Sequence, residues 1–487
     1  MATLVQAPQA APRRAPRERR LADVAVVAGP VALAVALCLY QLTARSLWLD
    51  EAATVAIAGQ HGSALWNAIA HDGGNMLGYY ALLHVLIGWF GDGALVIRLP
   101  SVLAAGAAAG AVGLLGLRLF DRRVALASGL LAAVSVPLVF WGQNARGYAP
   151  MVALVAGSFL AFAALVESGS RRAWIAYVVL TALSVYASYI AIVAVPAQLA
   201  ALLWRRQGWR PVASGLAACA VCWVPLAVLA ASRGGGQLFW IPRPGLTTEK
   251  QVILALTSAG FEPNFRPVVG VGAVLAIATL ALLLVGAIRI ARGPQWGGVL
   301  ALSWLLVPVV LMWLESFVGQ SIFTPRNLLV SLPAVALLLG WVIMRSRLAW
   351  VALAILIALR ATTLAPTYGT SPENWRDTTA YVLSAKQPGD CVAFYPLDAR
   401  MPFAYYARQP VQPYVERYET PRIPAGCGRV WLVASHQGEP NGPAASRAHY
   451  DTYVAIRAEL AREYRHVATR SFGYASTIWV QLYGPRK

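Results

Sequence analysis

Two adjacent carboxylates, Asp50 and Glu51, stand in Trp48-Leu49-Asp50-Glu51 directly after the first apolar run of the chain. Ionised groups at membrane depth are costly and tend to be functional. An acid there can take a proton from an acceptor hydroxyl that comes within hydrogen-bond reach. A structural part also suits the pair, because carboxylates favour a helix amino terminus, and for Glu51 the two readings are compatible. A second group is Gln143-Asn144-Ala145-Arg146-Gly147-Tyr148, in a short turn between apolar runs. Arg146 held in poorly hydrated surroundings can pair bidentately with a phosphate; the alternative is a side chain snorkelling to lipid headgroups. Arg326, in Thr324-Pro325-Arg326-Asn327, poses the same choice. His71, Asp72, Asn75, Tyr79 and Tyr80, with Asn144 and Tyr148 beside Arg146, supply polar groups able to orient a sugar. His71 and Asp72 lack a ligand spacing such as His-Glu-x-x-His, so no metal site is expected, although a divalent metal is not excluded. No Walker loop, nucleotide-binding glycine-rich turn or serine elbow is present, and a cytoplasmic nucleotide-sugar donor is therefore not indicated.

The elements that must position these residues are membrane helices. Of 487 residues, 58% are hydrophobic and 13% charged, against about 25% charged in a soluble domain. Apolar runs of about 17 to 24 residues, each long enough to cross roughly 30 Å of hydrocarbon, leave helices as the workable spanning structure. Reading from Leu21, helices are predicted near 22–42, 97–117, 124–141, 148–167, 174–188, 190–204, 211–230, 267–288, 297–317, 328–344 and 348–364, about eleven spans. The connections that fall on one side hold Arg118, Arg122 and Arg123, Arg171 and Arg172, Arg205, Arg206 and Arg210, Arg289 and Arg292, and Arg345 and Arg347. Each is basic, as a cytoplasmic loop should be. That pattern places the amino terminus in the cytoplasm and Asp50 outside.

Residues 1–20, rich in Ala, Pro and Arg, read as a disordered basic cytoplasmic tail. Residues 21–368 form the expected transmembrane domain, with long outer loops at 43–96 and 232–266. The first loop carries two amphipathic stretches, Glu51 to Ala70 and Met76 to Phe90, suited to lying in the interface. An odd number of spans sends 369–487 outside as a small α/β domain, with strands at Cys391–Tyr395 and Val430–Ala434 and helices at Trp375–Ala385 and Tyr453–Tyr464. Cys391 and Cys427 both fall in that domain, where an oxidising compartment permits a disulfide.

The formal charge of +19 does not indicate a nucleic-acid partner, because the basic residues are scattered between apolar runs. A transporter or flippase of lipid-linked sugars should carry charges in the middles of spans, whereas nearly all charges here fall at span ends, Glu315 and Arg360 included. No internal repeat or inverted symmetry is visible.

The order of motifs resembles the bacterial membrane glycosyltransferases of the GT-C class, similar to protein O-mannosyltransferases and lipid A aminoarabinose transferases (glycosyltransferase families 39 and 83). The matching pieces are Leu49-Asp50-Glu51-Ala52, Asn75-Met76-Leu77-Gly78-Tyr79-Tyr80, Arg98-Leu99-Pro100-Ser101, Gln143 to Tyr148, and Arg326-Asn327-Leu328-Leu329. Tyr186-Ala187-Ser188-Tyr189 is a weaker echo, and Trp375-Arg376-Asp377 with Pro388-Gly389-Asp390 resembles the start of the tail domain in many bacterial members. The resemblance implies an all-α GT-C fold in a bacterial inner membrane, a polyprenyl-phosphate-linked sugar as donor, a hydroxyl acceptor on a lipid, glycan or protein, and inversion at the anomeric carbon. It implies Asp50 as general base, Glu51 positioning the acceptor or the catalytic loop, and Arg146 and Arg326 holding the donor phosphate. A ligase-like transfer of a preassembled glycan fits the same motifs. Many relatives carry His-Pro-Pro-Leu where this chain has Gly73-Gly74-Asn75-Met76-Leu77, so the acceptor contact of that segment does not carry over.

Overall fold

A computed structural model describes residues 16–233, 238, 241–261, 265, 267–410, 426–441, 444–474 and 477–486, with side chains from residue 21 onward except that of residue 445. All eleven apolar stretches are helical. The long helix α1 (Pro16–Leu39) leads into three shorter ones, α2 (Leu49–Ala58), α3 (Gly62–His71) and α4 (Leu77–Phe90). Then follow α5 (Ala94–Leu119), α6 (Arg122–Ala133), α7 (Val136–Gly142), α8 (Tyr148–Ser168), α9 (Arg171–Ala187), α10 (Ala194–Arg205) and α11 (Trp209–Arg233). After α12 (Leu246–Thr257) come α13 (Val271–Arg292), α14 (Trp296–Val318), α15 (Leu332–Ile343) and α16 (Ala349–Leu364). By length and composition, seven described helices can cross a membrane, or eight when the bent pair α6–α7 counts as one span. The stretches around α10 and α15 are shorter and begin with 3-10 turns.

Two expectations change at this level. Of the amino-terminal tail, residues 1–15 lie outside the described residues, but 16–20 already belong to α1. The stretch from Glu51 to Ala70 is two helices, because the chain turns at Gly59 to His61. Within the second long loop, α12 is an ordered element, while 234–237, 239–240, 262–264 and 266 lie outside the described residues.

Small residues let the first helices pack closely, as membrane helices do without a hydrophobic drive between them. On α5, a methyl group at Gly110 would come within 2.9 Å of Val31 on α1, and one at Gly116 within 2.7 Å of the Ala125 backbone on α6. The 59° bend between α6 and α7 strands the Leu131 carbonyl, since the Ser135 N–H that would serve it in a continuous helix bonds Ala132 instead. Buried Arg360 of α16 donates to that carbonyl. This accounts for a charge that the sequence placed simply near a span end.

The tail builds a mixed sheet in the order β1 (Cys391–Tyr395), β2 (Val430–Ala434), β4 (Ile478–Pro485), β3 (Tyr464–Phe472), with β1 and β2 parallel and the other pairs antiparallel. Its helices are α17 (Trp375–Ala385), α18 (Arg400–Tyr406) and α19 (Ala444–Glu463). Central β2 is buried at every position. Val430, Leu432 and Ala434 pack with Tyr453, Ile456 and Leu460 of α19; Trp431 and Val433 meet Trp375 and Val382 of α17 and Phe403 of α18. A disulfide joins Cys391 to Cys427, with Cα atoms 5.6 Å apart. The two expected strands coincide with β1 and β2. Strand β3 lacked a signal because it is an edge strand whose residues are mostly exposed, leaving no apolar alternation to read.

Candidate functional site

Successive residues on a helix point about 100° apart, and the first turn of α2 uses this to separate its two acids. Glu51 is 0% exposed and Asp50 keeps 28% of its side chain open. Arg98 of α5 grips Glu51 bidentately, Nε to Oε1 at 2.8 Å and Nη2 to Oε2 at 2.6 Å. Its remaining N–H groups donate to the carbonyls of Leu42 (2.7 Å), Arg45 (3.2 Å) and Ser46 (3.4 Å). All five guanidinium donors are thereby used, and the turn between α1 and α2 is tied to α5. Glu51 Oε1 also accepts the Ala145 N–H at 2.7 Å, so the same carboxylate sets the turn that carries Arg146. No side-chain cap forms on α2; Glu51 serves its neighbours rather than its own helix end.

The turn at 143–147 is held from every side. Arg45 donates to Gln143 Oε1 at 2.7 Å, Gln143 Nε2 donates to the Cys38 and Tyr40 carbonyls, and Trp48 Nε1 donates to Asn144 Oδ1 at 2.9 Å. A methyl group on Gly147 would lie 2.3 Å from the Ala187 carbonyl oxygen, so only glycine fits. Arg146 projects from this frame over α2, where Nη1 donates to Thr54 Oγ1 at 3.1 Å and the Asp50 carbonyl at 3.3 Å, and Nη2 lies 3.7 Å from Asp50 Oδ2. Its Nε is buried without a protein hydrogen-bond partner. Arg326, just before the 3-10 turn that leads into α15, brings Nη1 to 3.4 Å from the same Asp50 oxygen. Neither arginine snorkels; both converge on Asp50.

The other expected residues divide. Tyr80 donates to Asp72 Oδ2 at 2.9 Å, and Asp72 lies within electrostatic reach of Arg146. Tyr79, buried, bonds Ser101 and the Ile97 carbonyl, and Asn144 is buried in the turn; both are parts of the frame. Tyr148 packs its ring on Trp141 at 4.2 Å. Asn75 Oδ1 accepts the Tyr189 N–H at 3.3 Å, while the Tyr189 hydroxyl donates to the Gly73 carbonyl at 2.6 Å. The weak motif at 186–189 thus fixes a tight turn in which Gly73 and Gly74 take φ of +71° and +74°. His71 ends α3, half-buried beside Asp72.

Sequence reasoning gave no role to the contribution of the tail. Glu373, buried just before α17, accepts the Leu49 N–H at 3.0 Å and Trp375 Nε1–H at 2.7 Å through Oε2, with His436 Nε2 3.4 Å from Oε1. Tyr406 hydroxyl accepts the Leu47 N–H at 2.7 Å, and Met401 packs on Ala52 and Ala56 of α2. Burial pushes the Glu373 carboxyl above its ordinary range, against the pull of His436, and pushes Asp398 up to about 6, with His436 and Arg400 opposing. Arg98 alone left a trace in the sequence, in the Arg98-Leu99-Pro100-Ser101 motif that contributes to the family resemblance. Glu373 and Tyr406 left none, since nothing local marks a residue whose partner is hundreds of positions away.

Residues 74–232 match the family model described as dolichyl-phosphate-mannose-protein mannosyltransferase. No curated protein matches the chain. Among solved structures, ArnT from Cupriavidus metallidurans bound to undecaprenyl phosphate superposes with a TM-score of 0.56 at 13% identity, covering 94% of this chain and 98% of that one. The apo form of ArnT gives 0.55 at 13% identity, over 93% and 97%. The archaeal oligosaccharyltransferase AglB from Archaeoglobus fulgidus, in complex with an inhibitory peptide and a dolichol-phosphate, gives 0.55 at 11% identity, over 96% of this chain and 75% of that one. The fold is the GT-C fold of these proteins with a small carboxy-terminal sheet domain, and the resemblance read from the motif order is borne out.

Proposed function

We propose that this GT-C-fold protein is an inverting membrane glycosyltransferase, moving a sugar from a polyprenyl-phosphate donor to a hydroxyl acceptor at the extracytoplasmic face of a bacterial inner membrane. The observation that carries the reading is the sharing of one Asp50 oxygen between Arg146 and Arg326, two cations from separate elements at 3.7 and 3.4 Å. Two positioned guanidinium groups in a poorly hydrated site suit a phosphate that gains charge as it leaves, and the buried, unbonded Nε of Arg146 leaves donor capacity for it. The named ligands of the structural relatives, undecaprenyl phosphate and dolichol-phosphate, are of this class. The basic connections at 118–123, 171–172, 205–210, 289–292 and 345–347 support placing the Asp50 end outside.

In the reaction the donor phosphate takes over Arg146 and Arg326, which releases Asp50. Asp50 accepts the proton of the acceptor hydroxyl as its oxygen bonds the anomeric carbon from the face opposite the phosphate. The bond from that carbon to the phosphate oxygen breaks, and the polyprenyl phosphate leaves with the electron pair. Glu51 touches no substrate in this scheme; with both oxygens bound by Arg98 and Ala145, it holds the two catalytic elements together. Asp50→Asn abolishes transfer by the purified protein in vesicles supplied with a polyprenyl-phosphate sugar, while insertion and thermal midpoint stay unchanged; retained transfer removes Asp50 from the mechanism.

The fold shared with an oligosaccharyltransferase favours one second reading, transfer of a preassembled glycan rather than one sugar. Mass spectrometry of the transferred unit separates the two. A transporter is disfavoured because the interior charges Glu51 and Arg98 saturate each other instead of lining a path, and flux of an unaltered lipid-linked sugar across vesicles would restore it.

A further inference from the structure

The first N–H groups of a helix need acceptors, which the N-cap side chain ordinarily supplies. Trp48 holds the N-cap of α2 and offers none. The Leu49 N–H instead reaches Glu373, a buried carboxylate of the segment leading into the tail domain. That segment and the tail grip the rest of the strand running into Asp50. Ser371 Oγ accepts the Ser46 N–H at 2.9 Å, Arg376 donates to the Thr43 and Ala44 carbonyls at 2.9 and 3.1 Å, and Tyr406 accepts from Leu47. Arg98 takes the carbonyls of Leu42, Arg45 and Ser46 from the other side. The backbone that delivers Asp50 is therefore clamped between α5 and the tail, and Glu373 holds the residue directly before Asp50.

We infer that Glu373, paired with His436 at the end of β2, is a positioning residue that sets the orientation of Asp50, making the tail domain a working part of the site. The inference rests on the proposed role of Asp50 as base. An ionised carboxylate is a stronger acceptor than a neutral one and is favoured at a helix amino terminus, so the grip on Leu49 is firmest with Glu373 charged. The groups facing it are His436 after β2, Asp50 on α2, and Asp398 and Arg400 beside His436. Burial works against the charged form, followed by the charge of Asp50, while His436 and the bonds from Trp375 and Leu49 favour it. Because the carboxyl is held above its ordinary range, it takes up a proton as pH falls, earlier than an exposed glutamate would, and the grip slackens with it.

Glu373→Gln keeps the shape and one acceptor oxygen and removes a buried charge. In vesicles supplied with a polyprenyl-phosphate sugar, it lowers kcat on the order of 10- to 100-fold, the scale of a small misplacement of a reacting group. KM for the donor lipid stays in place, the thermal midpoint does not fall, and the acid-side decline of the wild-type rate keeps only the part set by protonation of the base Asp50. Should that variant fail to insert, His436→Gln lowers kcat in the same sense and shifts the acid limb. Wild-type kcat and an unchanged pH profile in the variant that inserts, or a rate loss matched by a fallen thermal midpoint, overturns the inference. Asp50→Asn run in parallel tells the failures apart: an active Asp50→Asn protein sinks the proposed mechanism itself, whereas an inactive one beside an unimpaired Glu373→Gln protein sinks only the role of Glu373.

Discussion

Asp50 and Glu51 are neighbours of the same chemical type, and their surroundings give them different work. Asp50 is partly open and faces two arginines; Glu51 is sealed among Arg98 and the Ala145 N–H. Arg146 is more than a point charge, since its fork spans Thr54, the Asp50 carbonyl and the Asp50 carboxylate. Arg146→Ala is expected to reduce kcat by about 10² to 10³, the effect of deleting one positioned donor in a preorganised site. Arg146→Lys is expected to recover little, because an ammonium cannot reproduce the planar fork. Steady-state rates in vesicles check both, and a lysine variant of wild-type rate would show that charge alone suffices.

At the scale of elements, the bundle keeps the ends that carry Asp50 and Arg146 in register through the Glu51–Arg98 pair and the turn at 143–147. Arg98→Ala leaves Glu51 buried without its partner, which costs about 3–5 kcal/mol and should lower the thermal midpoint in detergent. Replacing both residues by apolar ones, Glu51→Leu with Arg98→Met, is expected to restore much of that stability. It does not restore transfer, because the Ala145 N–H loses its acceptor and Arg146 its placement. A double variant that recovers both would remove Glu51 from the positioning of the turn. Gly147→Ala makes a cleaner probe of the same turn. The added methyl meets the Ala187 carbonyl at 2.3 Å, so the turn must shift and kcat is expected to fall while the bundle stays folded, as circular dichroism would report.

For the molecule as a whole, the tail both folds on its own cores and docks on α2 through Met401 and Glu373 and on the segment before it through Tyr406. The disulfide closes the tail from β1 across a sequence separation of 36. Removing it with Cys391→Ser is expected to destabilise the tail by about 2–4 kcal/mol. If the tail helps to hold Asp50, transfer in that variant should fall at a lower temperature than in the wild type, with the helical bundle still intact. Activity and far-ultraviolet dichroism followed on one temperature ramp decide it; coincident loss of both signals would show one cooperative unit instead.

The sequence by itself determined the helical bundle, two strands of the tail sheet and the pair of acids that follows the first apolar run. Apolar run length marks helices, short apolar runs marked β1 and β2, and Asp50-Glu51 was visible as two charges directly after an apolar run. These are local properties, carried by residues a few positions apart. Tertiary structure decided which acid is open and which is sealed, that Arg146 and Arg326 meet on one oxygen, that α6 and α7 break over a carbonyl served by Arg360, and that Glu373 reaches back to Leu49. Convergence and burial of this kind depend on how all the helices and the tail pack together, and no local pattern of residue types encodes the packing of distant segments against each other.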